Sequence, residues 1–518
     1  MTTDTPPAMS DAADARLRDP RVRPGDPHDL AMVDLVHPAE WPAKPEHDFY
    51  DLVVIGAGSA GLVSSAIAAE LGARTLLIEG SMLGGDCLVA GCVPSKGLLR
   101  GAKAAAAARR LSEFGVHFDA EPRIEFREIM GRLREKRARI AHHDSAEEFK
   151  RRGVEIVFGR AHFTSRDSVE VGGTRVKFAR AIVATGSRPR ALPIEGLEEA
   201  GYLTNETVFS IDEQPGRLAV IGGGPIGCEL GSAFARLDCS VTLIEAGERI
   251  MGPEDADAAA VIHETLEREG VRVITGATVE RVETEDNVHR LTVKAGGDTT
   301  TVEVDRILVG AGRVATTEGL GLDAAGVSVD KSGVVVDDNL KTTNPRVFAA
   351  GDCCMKAKFT HTADASARIA VRNALFLGGD RASRMIIPRC TYTTPEVASV
   401  GDTKEGDDVG VLRVDLSSVD RAIVDGSEEG WLKVFHDEKS GRIRGAVLVG
   451  DHAGDVISIF TALMTRKGTL RDLSKTIFPY PTVGEVARMA GDEFELNRLG
   501  PLTRKAARWV LAVRQKLV

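Results

Sequence analysis

The 518-residue sequence predicts an α/β protein of two doubly wound domains followed by a smaller α+β domain, and three observations carry that reading. From Tyr50 the chain runs strand, Gly-rich turn, helix, strand (YDLVVIGAGSAGLVSSAIAAELGARTLLIE), and this order returns at RLAVIGGGPIGCELGSAFARLDCSVTLIE. The two copies align residue by residue. Gly56, Gly58 and Gly61 correspond to Gly222, Gly224 and Gly227, and Glu79 to Glu245, each displaced by 166 residues. After residue 385 the pattern changes to alternating strands, WLKVFH and RIRGAVLVG among them, and then to helices towards residue 500.

A chain of this length is too long for one hydrophobic core, and its 43% apolar content is that of a globular enzyme. The net charge of −10, from 66 basic and 76 acidic residues, argues against nucleic acid as a partner. No basic stretch leads into an apolar core at the N-terminus, and no run approaches the ~18 apolar residues of a spanning helix. Seven cysteines do not make a disulfide framework in a chain this long, so a reducing, cytoplasmic setting is expected. There, closely spaced cysteines point to redox chemistry or metal binding.

Residues 1–48, rich in Pro, Asp and Ala, are expected to form a mobile or surface-draped arm, with Trp41 placed to pin its end. Each Gly-rich copy then carries more than the bare GxGxxG pattern. An apolar strand precedes it, a helix follows, and an acid closes the next strand 23 residues after the first Gly. Such glycines let the backbone approach a pyrophosphate seated on the helix N-terminus, and the acid accepts from ribose hydroxyls. Both copies are therefore read as Rossmann-like dinucleotide sites. At the second, the Glu245 carboxylate would repel a 2′-phosphate, which favours NADH over NADPH, although Arg249 lies nearby in sequence.

Between the strands and the next helical stretch lies GGDCLVAGCVPSK, with Cys87 and Cys92. On a regular helix two residues five apart differ by about 140° in azimuth and cannot be bridged. Gly91 gives the backbone room to depart from regularity, and Pro94 is expected to break it further. A pair at a helix start can have a lowered thiolate pKa, so one sulfur can exchange while the other stays near a cofactor. Two buried core cysteines are the alternative.

GGDCLVAGCVPSK resembles the redox-active signature of the class I pyridine nucleotide-disulfide oxidoreductases, which include dihydrolipoamide dehydrogenase, glutathione reductase and mercuric reductase. Four further motifs follow in the family's order: VATGSRPR, VGAGR, TTNPRVFAAGDC and CTYTTPEVASVG. The resemblance implies FAD and NAD as cofactors and a homodimer. It implies an FAD domain in two parts, 49–192 and 316–385, an NAD domain over 193–315, and an interface domain over 386–500; beyond them, residues 501–518 read by their own pattern as a basic amphipathic tail. Cys92 would be the flavin-proximal sulfur and Cys87 the exchange sulfur, with Lys96 and Glu229 paired where hydride arrives. Gly85, Thr185, Gly186, Gly312 and Asp352 would contact cofactor. His361 would be a helix cap or flavin contact, or else a satisfied core histidine.

One departure matters. Many members carry His-Pro-Thr where this chain has FPYPTVGE, so Tyr480 replaces the acid–base histidine while Glu485 remains. An unperturbed phenol, with a pKa of about 10, is a poor base at pH 7. Tyr480 is either a catalytic residue completing the partner's site or an interface aromatic. It brings the chain nearest the mercuric reductase-like group, yet no cysteine follows Cys390 to deliver a metal, and no resident metal site is expected.

The acceptor expected first is a disulfide or other sulfur–sulfur bond, in a small molecule or a protein. A soft metal ion is second, quinone or dioxygen third, and a docked flavoprotein module is the non-enzyme alternative. Cys228, Cys239, Cys353, Cys354 and Cys390 are read as packing residues. The tail stripe Leu502, Ala506, Trp509, Val513 and Leu517 is read as docking on the protein's own dimer, with a membrane surface less favoured.

Overall fold

The computed structural model describes residues 15–515 except Glu121 and Leu377, with only the backbone described at Ala15, Leu17, Pro501 and Leu502. The chain divides into two compact units, one of residues up to Glu248 plus Glu269–Met385, the other of Arg249–Arg268 and the chain from Ile386 onward.

The first unit holds both Gly-rich copies. Strand Phe49–Ile55, helix Ser59–Glu70 and strand Thr75–Glu79 have counterparts in strand Arg217–Ile221, helix Pro225–Arg236 and strand Ser240–Ile244. The repeat extends to register, since Leu52 faces Thr75 in a parallel pair and Leu218 faces Val241. In the larger sheet Phe49–Ile55 lies between Thr75–Glu79 and Thr174–Val183, and Val154–Phe158 lies outside Thr75–Glu79. Val347–Ala349, from beyond the second sheet in sequence, pairs in parallel with Thr174–Val183. The second sheet runs Arg272–Ile274, Ser240–Ile244, Arg217–Ile221, Arg306–Val309. Chain crosses between the two sheets in a short antiparallel ribbon, in which Ser187–Pro189 pairs with Arg313–Ala315. A three-stranded antiparallel meander over Ala277–Val304 was not anticipated.

The expectation of a mobile or surface-draped arm is corrected over residues 15–36, while residues 42–48 lie at the surface. Pro27–Val36 is a helix, started by the Asp26 carboxylate accepting from the His28 and Asp29 N–H groups with Pro27 at the first helical position. Val22, Met32, Val33 and Val36 are at most 1% exposed and belong to a core shared with Ser59–Glu70, and the helix packs on Phe126–Ala141. Trp41 does pin the segment, its Nε1 donating to the Ile156 carbonyl at 3.0 Å. Residues 1–14 lie outside the described residues.

The second unit is a five-stranded antiparallel sheet covered by helices, with Trp431–Asp437 and Ile443–Gly450 in its interior. Arg249–Arg268 groups here, held by Lys433 on Asp255 and Asp257. The tail is a helix over Pro501–Gln515, whose side chains from Thr503 to Gln515 are all exposed. Among the described residues no helix is long and apolar enough to cross a membrane.

Candidate active site

The glycines of each dinucleotide loop divide by what the protein itself demands. A Cβ on Gly61 would lie 1.7 Å from the Gly56 carbonyl oxygen, and one on Gly227 1.9 Å from that of Gly222, so helix and strand meet only through glycine. Gly56 and Gly222 have φ of +97° and +112°. Gly58 and Gly224 have neither constraint. Both are extended caps, the first with only the Gly85 Cα at 3.9 Å and the second with nothing within 4 Å. The space left by their missing side chains, at the start of a helix, fits a pyrophosphate and with it FAD and a nicotinamide dinucleotide.

The two acids repeat the same contacts. Glu79 accepts from the N–H groups of Ala57 at 2.6 Å and Ser81 at 2.7 Å, and Glu245 from those of Gly223 and Gly247, both at 2.6 Å. Burial pushes the Glu79 carboxyl up, against the pull of these N–H groups. Gly85 stands beside this loop, where its Cβ would meet the Gly58 Cα at 2.7 Å. Thr185 donates to the Thr316 carbonyl, and Gly186 (φ +69°) and Gly312 (φ +98°) turn the chain at the ends of the crossing ribbon. Asp352 accepts from Ser187 at 2.7 Å.

The redox segment is two helices, Gly85–Val89 and Cys92–Arg109, broken at Ala90–Gly91. A Cβ on Gly91 would lie 2.7 Å from the Asp86 carbonyl oxygen, so the break depends on glycine. Pro94 does not break anything, contrary to expectation. It occupies the first turn of Cys92–Arg109, where its missing N–H has no helical partner to lose. Cys92 therefore sits at the first position of an 18-residue helix, and the macrodipole there favours a thiolate. A hydrogen bond from Cys87 holds its pKa down, to about 6, helped by Thr360 and by the Lys96 charge. The same interaction and burial push Cys87 up. The Thr360 Oγ1 lies 3.2 Å from the Cys92 Sγ. Lys96 and Glu229 form an ion pair at 2.9 Å, and Glu229 is 5% exposed.

Sequence reasoning missed the supports of this segment. Arg313 donates to the Asp86 carboxylate, to Ser187 and to Asn205, while Asn205 donates to the Ala90 carbonyl at 3.2 Å. Arg137 donates to the Val89 carbonyl at 2.7 Å and pairs with Asp29, both side chains fully buried. Only Arg313 lay inside a quoted motif.

His361 is exposed and stacked on Phe359, with ring centroids 5.2 Å apart, so it is not a core histidine; nor does it cap, since Phe359 is the cap residue. Cys353 is buried, 3.3 Å from the Val183 and Ala350 carbonyls, and burial pushes Cys228 up and Cys239 up to about 12. Cys354 and Cys390 are partly buried. Among the described residues Glu46, His47 and Glu155 could converge on a cation, but Glu155 already accepts from the Glu46 N–H and the Tyr50 hydroxyl.

In the second unit Tyr480 is 70% exposed and donates to the Asp420 carboxylate at 2.8 Å. That contact holds the phenol above its ordinary range. Glu485 begins the helix Glu485–Asn497, is 8% exposed, and accepts from Arg488 at 3.2 Å. Asp420 opens the run DRAIVDGSEEGWLKV, which resembles the mercuric reductase-like group, but no pattern there marks it as a partner of Tyr480.

Residues 50–367 match the model of the pyridine nucleotide-disulphide oxidoreductase family, and residues 387–490 that of its dimerisation domain. A mercuric reductase of Bacillus cereus is 32% identical over 487 residues, 93% of this chain and 77% of that protein. A dihydrolipoyl dehydrogenase of Thermus scotoductus is 34% identical over 465 residues, 88% of this chain and 99% of that one. Among solved structures, the Cu(II) complex of the HOCl-induced flavoprotein disulfide reductase RclA from Escherichia coli shares 27% identity at a TM-score of 0.77, covering 86% of this chain and 100% of its own. The chain belongs to the pyridine nucleotide-disulphide oxidoreductases, as an FAD- and pyridine nucleotide-dependent enzyme with that family's dimerisation domain.

Proposed function

We propose that the protein oxidises NADH and delivers the electron pair, through the Cys87–Cys92 couple, to a disulfide or another sulfur–sulfur bond. The observation that carries this reading is the placement of Cys92 at the first position of an 18-residue helix, beside the Lys96–Glu229 ion pair, where its interaction with Cys87 holds the thiol below its ordinary range. The Gly56–Gly61 loop, Glu79 and Asp352 would hold FAD, which when bound would supply the exchange between a hydride and the electron pair that opens a disulfide. The chain's own residues do the rest. Once reduced, the pair keeps its proton on Cys87 and its negative charge on Cys92, which Lys96 and the helix start stabilise. Cys87 passes its proton to Cys92 and attacks one sulfur of the acceptor as a thiolate, forming a mixed disulfide and releasing a first thiolate, which takes that proton from Cys92. Cys92 then attacks Cys87, re-forming the couple and releasing the second thiol as a thiolate, which takes a proton from water.

Tyr480 and Glu485 serve the partner subunit's site in this reading. With its hydroxyl proton committed to Asp420, Tyr480 stays neutral at pH 7 and orients the acceptor instead of removing a proton. NADH is preferred over NADPH because Glu245 stands at the second loop, while Arg249 donates to the Gly252 and Glu254 carbonyls. The exposed tail helix docks on the protein's own dimer, and seven cysteines without a disulfide framework suit a reducing cytoplasm.

A soft metal ion such as Hg²⁺ is the second reading, favoured by the mercuric reductases among the relatives and by the exposure of Cys92. Anaerobic titration of the FAD-loaded protein with NADH tests the relay. A long-wavelength absorbance band at two electrons per flavin, lost in Cys92→Ser, supports it and sends the search to disulfides and then to Hg²⁺. Bleaching of the flavin without that band sinks the relay and points to quinone or dioxygen.

A further inference from the structure

The two sulfurs are separated by Leu88–Gly91, a stretch that contains the end of one helix and the start of another. The last carbonyls of a helix have no partner within it, and buried ones must find a donor elsewhere. Here Val89 is 1% exposed and its carbonyl accepts from the Arg137 Nη1 at 2.7 Å. The same guanidinium accepts no flexibility in return. Its Nη2 is bound to the Asp29 carboxylate, its Nη1 also reaches the Arg21 carbonyl at 3.2 Å, and both charged side chains are 0% exposed. Asp29 in turn accepts from the Gly25 N–H at 3.1 Å, and the Val36 carbonyl accepts from the Leu83 N–H at 3.1 Å, just before the redox segment. The N-terminal segment thus reaches the chain directly at Leu83, just before Gly85–Val89, and through Arg137 at Val89.

A fully buried ion pair is a poor choice for stability alone, because apolar residues of similar volume serve as well or better. What it offers is a donor of fixed geometry. Arginine presents a planar fork, and Asp29 fixes the orientation of that fork so that one N–H points at Val89.

We propose that Arg137, oriented by Asp29 of the N-terminal segment, is a positioning residue that sets the distance between the Cys87 and Cys92 sulfurs. Its effect on chemistry follows from that distance, since the interaction with Cys87 is the largest of the influences that lower the Cys92 pKa. The inference rests on Cys87–Cys92 being the working redox couple.

The test is made on the FAD-loaded full chain. Asp29→Leu/Arg137→Met replaces the pair by apolar residues and removes the donor to Val89. Arg137→Lys keeps the charge but loses the fork. Two quantities are read in the reduced protein: the pH profile of Cys92 alkylation by iodoacetamide, and the dithiol–disulfide equilibrium against glutathione. The expected result is an alkylation midpoint about one pH unit higher and an equilibrium shifted by about tenfold in the double variant, with Arg137→Lys between it and the parent. Arg139→Met, on the same helix but exposed, leaves both unchanged. A folded double variant that matches the parent in both readouts overturns the inference. If the double variant does not fold, Arg137→Lys decides alone, and an unchanged profile overturns it. A parent protein with no low-pKa thiol and no glutathione equilibrium would instead sink the redox couple itself.

Discussion

At pH 7 a thiol with a pKa of about 6 is roughly nine-tenths thiolate, whereas an ordinary one near 8.5 is a few per cent ionised. Iodoacetamide should therefore alkylate the reduced protein first at Cys92, with a rate that falls as the pH drops through 6 and gains little above 7. Two neighbours tune this midpoint in opposite directions, Lys96 lowering it and Glu229 raising it. Lys96→Met removes the favourable charge and leaves Glu229 buried without that cation, so the midpoint should rise by about one unit. Glu229→Gln should lower it. Mass spectrometry of the alkylated peptide against pH separates the outcomes, and a Lys96→Met profile identical to the parent's would sink the assignment of Lys96. Cys87, Cys92 and the Lys96–Glu229 pair were legible because each lies in a motif with a fixed place in the fold. Thr360 was not, because a hydroxyl 268 residues from Cys92 carries no local pattern that marks it as a sulfur contact.

The strand–loop–helix unit was equally legible, since its glycines, its acid and its register recur at one displacement of 166 residues. The structure separates glycines that the sequence alone treats alike. Gly61→Ala drives a methyl group into a backbone carbonyl 1.7 Å away, beyond the ~3 kcal/mol that cores usually absorb on overpacking, so soluble protein should be lost. Gly58→Ala meets only an ordinary contact at 3.9 Å. That variant should fold with near-parental thermal stability and fail to retain FAD on gel filtration, because the methyl group occupies the phosphate cradle. Retention of stoichiometric FAD by Gly58→Ala would argue against that cradle. The helix Pro27–Val36 shows the limit of reading elements locally. Its Asp26 cap and Pro27 start were not read from the sequence, because ten residues surrounded by Pro and Asp give too little periodicity to announce a buried face. Its partner is Arg137, 108 residues away from Asp29, and such a pairing exists only once the chain is folded.

The whole enzyme is a question of two chains. The dimerisation domain follows from the family, and Tyr480 and Glu485 lie in it. Their place was legible only as a departure from a motif. The Asp420 contact, which holds the phenol further above its ordinary range, depends on tertiary structure. If Tyr480 works in the partner's site, defects on different subunits must complement one another. Cys87→Ser abolishes exchange in the subunit that carries it, and Tyr480→Phe should cut turnover with an acceptor disulfide at least tenfold while leaving NADH oxidation by the flavin intact. An isologous dimer has two equivalent sites, each drawing on both chains. Mixing the two variants, dissociating and reassociating them, should give half mixed dimers, each with one site that is intact in both respects. The expected recovery is about a quarter of parental turnover, from two nearly inactive parents. Recovery at that level places Tyr480 across the interface, while a mixture no more active than its components would confine Tyr480 and Cys87 to sites within one chain.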